Sequence, residues 1–160
     1  MIALLAGVVT LSAVFALVEI QIEGADGWAA RLPTWRIEGG GLLNLLWAGR
    51  VITGYHVWTF LFMALVFHLV FLVLGRFSVR LEARVMGALM LFWVSEDALW
   101  FVLNPAYGLA KFRPGQIPWH PHWVLGVPVD YLLFGLTGAA LVAWSYRSWR
   151  PKAPVREVAP

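Results

Sequence analysis

Five ionisable side chains, Glu19, His56, Glu96, Asp97 and Asp130, fall inside otherwise apolar stretches of this 160-residue chain, in four separate segments. An ionisable group in hydrocarbon is costly, so each is a candidate functional residue. Carboxylates and imidazoles gathered in one place can hold a divalent metal, or they can pass protons as general acids and bases. Glu23, His120, His122 and Asn104 stand at or just beyond the ends of the same stretches and extend the set. The chain has no cysteine, which excludes disulfides, iron–sulfur clusters and thiolate sites. A metal held by imidazole and carboxylate alone would be iron, zinc, manganese or copper(II).

The elements that must position these groups follow from composition. The chain is 61% apolar and 13% charged, with a mean hydropathy of +0.74, the profile of a small integral membrane protein. Four stretches approach the roughly 20 apolar residues that a membrane helix needs: residues 2–23, 51–75, 85–104 and 123–146. The first has no basic leader and no cleavage site, and reads as a retained helix. The fold expected is therefore all-α, an antiparallel bundle of four transmembrane helices forming one domain over residues 1–150. Residues 151–160 read as a disordered cytoplasmic tail.

Loop charges orient the bundle. Arg76, Arg80, Arg84, Arg147, Arg150, Lys152 and Arg156 share one side, against Arg31, Arg36, Arg50, Lys111 and Arg113 on the other. The positive-inside rule puts both termini in the cytoplasm. The Ala- and Arg-rich composition points to a bacterial inner membrane, with the site near the periplasmic face. Only Glu82 and Glu157 of the nine acidic residues fall on the inner side. The outer loops are expected to form short interfacial caps, with a helix at Leu42 to Trp47 and a proline-shaped loop from Pro105 to Pro121. Tryptophans 28, 35, 47, 58, 119 and 123 read as an aromatic belt.

At about 1.5 Å per residue, all five intramembrane groups lie within about 7–12 Å of the outer boundary. Glu19 and Glu23 share a helix face, Trp93, Asp97, Trp100 and Asn104 form one stripe with Glu96 on its shoulder, and His122, Gly126 and Asp130 form another. Pro128 is expected to open the last helix beside Asp130. Simpler roles compete. Asp130 can lock helices by pairing with Arg50 or Tyr55, Trp119 to Trp123 can be an anchor, and His68, with no acidic neighbour expected, reads as packing. The adjacent Glu96 and Asp97 are harder to dismiss, since they need a cation, a proton or a basic partner.

These residues point to a metal-dependent membrane enzyme acting on a lipid, an isoprenoid-like compound or another hydrophobic small molecule. His56, His122, Glu96, Glu19, Asp130, His120 and Glu23 are the candidate metal ligands, and Glu96, Asp97 and Glu19 the catalytic candidates. Arg50, Lys111, Arg113, Trp100 and Asn104 are candidates for substrate binding. Zinc would support hydrolysis, and iron oxygenase or hydroxylase chemistry. Three alternatives stay open: a metal-free acid/base isomerase or cyclase using a Glu96/Asp97 pair, an electron carrier with haem held by His56 and His120 or His122, and a small proton or cation transporter subunit. A homo-oligomer fits the last. Although the pI is near 9.7, the basic residues flank apolar spans, so no nucleic-acid partner is expected.

Overall fold

A computed structural model describes residues 1–38 and 50–147. Four helices dominate them: α1 (Ile2–Glu23), α2 (Gly54–Leu74), α3 (Val79–Leu103) and α4 (Val129–Tyr146). Each is long and apolar enough to cross a membrane. Large apolar side chains such as Phe62, Leu65, Leu72 and Val73 on α2 and Leu133 and Leu136 on α4 point outward, a surface that suits lipid and not water. Thr53 caps α2 by accepting from the His56 N–H, and Ser78 caps α3 by accepting from that of Leu81, the usual satisfaction of free helix-end donors.

Two boundaries differ from the sequence expectation. α3 begins at Val79, not near residue 85, because the Ser78 cap lets Arg80, Glu82 and Arg84 enter its first turns. α4 begins at Val129, not at residue 123. Strands β3 (Trp123–Val124) and β4 (Val127–Pro128) instead pair antiparallel around Leu125 and Gly126, both at positive φ, the geometry of a tight two-residue hairpin. His122, Gly126 and Asp130 therefore share no helical stripe, and Pro128 precedes α4 instead of opening it. A second ribbon joins β1 (Arg36–Ile37) to β2 (Ile52–Thr53) and leads directly into α2. The helix expected at 42–47 and the tail at 151–160 lie outside the described residues.

α3 is the central helix. It packs along α1 and α4 and more lightly against α2. The α3–α4 seam is set by Gly87 and Gly138: a Cβ on Gly87 would lie 2.7 Å from the Gly138 carbonyl oxygen, and one on Gly138 would lie 2.9 Å from that of Gly87. Small residues of this kind let helix backbones touch. Ser12 of α1 donates to the Phe92 carbonyl of α3 at 3.0 Å. At the far end, Arg80 donates to the Arg147 carbonyl, and Arg84 reaches Ser145 and lies over the Tyr146 ring. Asn104 closes the opposite end by donating to the Gly24 carbonyl while its oxygen accepts from the N–H groups of Ala106 and Tyr107.

Candidate functional site

A cavity of about 520 Å³ opens between the helices at the loop-capped end, a size that suits a small-molecule site. Glu19, Glu23, His56, Glu96, Asp97, His120, Asp130, Arg50 and Trp100, all singled out from the sequence, line it together. His122 is exposed and stands outside it, as do Lys111 and Arg113. Lys111 instead sits over the Tyr107 ring at 4.4 Å. Asn104, fully buried, is spent on the helix-end contacts above.

The ionisable groups divide into two walls. On the first, Tyr55 donates to Glu19 Oε1 at 3.0 Å, and the Glu19 and Glu96 carboxyls lie within hydrogen-bonding reach of each other. Glu96 is 3% exposed, and its Oε1 is buried with no hydrogen-bond partner among the described N–H and O–H groups. A carboxyl oxygen so placed is stabilised by a proton, a cation or a bound water. Glu23 accepts from the backbone N–H groups of Trp28 at 3.1 Å and Ala29 at 2.6 Å. The loop after α1 makes this possible by placing Gly27, Trp28 and Ala29 at positive φ, so that their amides turn back over the helix end. His56 Nε2 is 3.5 Å from Glu23 Oε1, its Nδ1 is 2.6 Å from the Thr53 hydroxyl, and its ring stacks on Trp28 at 3.9 Å.

The second wall is a closed ion-paired network. His120 Nε2 faces Asp97 Oδ2 at 2.9 Å, and Nδ1 faces Asp130 Oδ2 at 3.1 Å. Only an imidazolium donates from both nitrogens. Burial works against its charge, but the hydrogen bonds to Asp130 and Asp97 outweigh that and hold its pKa up at about 9. Arg50 binds Asp130 and the Trp119 carbonyl, while Tyr131 and the Trp119 indole donate to Asp97. Two cations thus meet two carboxylates, and each charge has a partner. Asp97 consequently belongs to this network, and the carboxyl paired with Glu96 is that of Glu19, a correction to the expected Glu96/Asp97 pair. Sequence neighbours on a helix point about 100° apart, so the two acids face different walls.

Several lining residues carried no clear sequence signal. Trp28 and Trp119, assigned above to an aromatic belt, line the cavity. Tyr131 was legible only as a neighbour of Asp130, and Tyr55, weighed above as a partner for Asp130, bonds Glu19 from outside the lining. Phe60, Met86, Leu89, Met90, Trp93, Leu133 and Phe134 make the rest of the lining apolar or aromatic. Away from the cavity, His68 Nε2 lies 3.2 Å from Glu82 Oε1. An acidic neighbour was not expected there; the early start of α3 supplies it.

Among the described residues no three His, Asp or Glu side chains already converge on one ligating point. The chain matches no family model, no curated protein and no solved structure.

Proposed function

We propose that this chain is a membrane-embedded acid/base enzyme that shifts or cyclises a double bond in a lipid or isoprenoid-like substrate. One observation carries the reading: the Glu19 and Glu96 carboxyls lie within bonding reach, with Glu96 Oε1 otherwise unpartnered, beside an apolar and aromatic cavity. Such a pair holds a proton where water does not compete for it. In an isomerisation the pair gives that proton to one alkene carbon and a cation forms on its neighbour. The faces of Phe60, Trp93 and Trp100 can stabilise the positive charge. A C–H next to the cation then loses its proton to the Glu23 carboxylate, forming the displaced double bond. The substrate gains and loses one proton, and transfer from Glu23 to Glu19, one turn along α1, restores the pair.

The arginine distribution supports placing the termini in the cytoplasm and the cavity near the outer face of an inner membrane. The test is deuterium incorporation. Protein reconstituted in vesicles with a total lipid extract of the source cells is incubated in D2O, and the lipids are analysed by mass spectrometry. The expected result is deuterium in an unsaturated chain, lost in Glu96→Gln and Glu19→Gln. Wild-type protein that labels no lipid overturns the proposal.

A metal-dependent enzyme is the second reading, favoured by one contact. With Nδ1 engaged by Thr53, the Nε2 of His56 confronts Glu23 at 3.5 Å, a spacing that a cation between them would explain. His56, Glu23, Glu19 and Glu96 would then hold iron or zinc, which would supply a bound hydroxide or oxygen chemistry. Stoichiometric metal in purified protein, lost in both His56→Ala and Glu23→Gln, would decide for this reading.

A further inference from the structure

The lining of the cavity is unevenly exposed. Trp119 and His120, at the capped end, are 4% and 3% exposed, whereas Leu133 and Phe134, about one turn into α4, are 61% and 45% exposed. The cavity therefore reaches the lipid-facing side of the bundle. The helix packing leaves it room to do so, because α2 and α4 each lean on α3 and do not pack along one another. Between them α3 presents Met86, Met90, Trp93 and Asp97, at the spacing of one helix face. Phe60 of α2 packs on Trp93 with ring centroids 4.5 Å apart and forms one bank of this cleft. Leu133 and Phe134 form the other.

Chemistry and depth restrict what fits. From Glu96 to Met86, about 15 Å along α3, the lining carries no charged side chain. Glu19 lies four residues from the end of α1 and Glu96 seven from the end of α3, about 6 and 10 Å below those ends. One leaflet of hydrocarbon is about 15 Å deep, half of a core near 30 Å. With the helix ends at its boundary, the acid pair stands level with the middle of an acyl chain, the stretch where an unsaturated chain carries its double bond. We infer that the cleft between α2 and α4 takes one unsaturated acyl chain of an intact phospholipid sideways from the bilayer, its headgroup left at the membrane surface. The charges agree. Arg50 and His120 are engaged by Asp130 and Asp97, and Lys111 and Arg113 do not line the cavity. A phosphate inside would find no unpaired cation, and a headgroup that stays outside needs none. Met86 and Met90, unbranched and adaptable, suit a chain that bends at its double bond. This choice of substrate deepens the acid/base reading and rests on it.

Methionine methyl groups report it without any substitution. Met86 and Met90 line the cleft, whereas Met63 is packed in the core at 3% exposed. Deuterated protein with 13C-methyl methionine is placed in nanodiscs of chain-deuterated phosphatidylcholine doped with protonated dioleoylphosphatidylcholine. The Met90 methyl should show nuclear Overhauser contacts to the oleoyl chain, and Met63 none. Leu133→Trp, at an exposed position, should fill the cleft and weaken the Met90 contact severalfold. A methionine placed on the lipid-facing surface by Leu136→Met, outside the lining, should keep its contact in the same background. No oleoyl contact at Met90, contact with water in its place, or a contact untouched by Leu133→Trp overturns the side entrance. Contact from protonated farnesol, with none from dioleoylphosphatidylcholine at the same mole fraction, overturns the choice of an intact phospholipid. The contact needs no turnover, so it separates from the acid/base reading. Chain contact without deuterium transfer in D2O sinks that reading and leaves the cleft as a lipid-chain site. Deuterium transfer without chain contact sinks the side entrance alone.

Discussion

The Tyr55 hydroxyl donates to Glu19 Oε1 across 3.0 Å and so ties the first turn of α2 to the last turn of α1. In the proposed reaction Tyr55 would act through Glu19, as a positioning residue. Tyr55→Phe should lower the rate of deuterium incorporation by roughly tenfold, the loss of about one hydrogen bond in the transition state. The pH–rate profile should move with it, because Glu19 loses a donor to its charged form. A slower rate with an unmoved profile would mean that Tyr55 only braces the helices.

Removal of either acid should be far more costly. Glu96→Gln and Glu19→Gln each keep the shape of the wall but cannot pass a proton. A loss on the order of 10²–10⁴ in rate is expected, the usual worth of a positioned acid. Thermal melts in detergent should show both variants folded. If either retains wild-type turnover, the pair is not the acid.

The second wall makes stability depend on pH. His120 has Asp97 and Asp130 on its two nitrogens, Arg50 Nη2 at 3.4 Å from Nδ1, and Tyr131 sharing Asp97. Its pKa rises from 6.5 to about 9 on folding. A raised pKa means that the stabilisation is complete below pH 6.5 and is lost as pH climbs through about 9. The melting temperature should therefore fall between those values, and His120→Gln should flatten the fall. A wild-type melt independent of pH over that interval would show that His120 is not held as an imidazolium.

Arg50 and Asp130 should be strongly coupled. Asp130→Asn leaves Arg50 without its anion, and Arg50→Met leaves Asp130 with only His120. Each single change should destabilise the protein, and the double variant should lose less than the sum, by about 1–3 kcal/mol. Additive losses would show that the contact is incidental.

Gly138 leaves no room for a side chain. A Cβ at this position would lie 2.9 Å from the Gly87 carbonyl oxygen and 3.1 Å from side-chain atoms of Met90 and Leu91. Gly138→Val should force α3 and α4 apart and lower the melting temperature, with Gly138→Ala milder. Gly135, one turn away, meets nothing within 4 Å, so Gly135→Ala should be neutral and serves as the control.

The four helices were legible because apolar length is a strong local signal, and the depth of the ionisable groups along them was enough to group Glu19, His56, Glu96 and Asp130, which line one cavity. Their partners were less accessible. Which wall Glu96 faces depends on how α3 is rotated, and its weak periodicity does not fix that. The hairpin at Trp123 to Pro128 hid because its residues are as apolar as those of a helix. Trp28 looked like an interfacial anchor, and only the turn through Gly27 brings its ring onto His56.

The helices differ in length. α2 has 21 residues, α3 has 25 and α4 has 18, or about 32, 38 and 27 Å at the helical rise. A hydrocarbon core near 30 Å cannot match all three at once, and mismatch is relieved by tilt. α2, the lightest packed against α3, is the helix freest to tilt, and it carries His56 and Phe60 into the cavity. Under the proposed reaction, bilayer thickness should therefore bear on the placing of His56 and Phe60, and the rate should differ between short-tailed and long-tailed lipid.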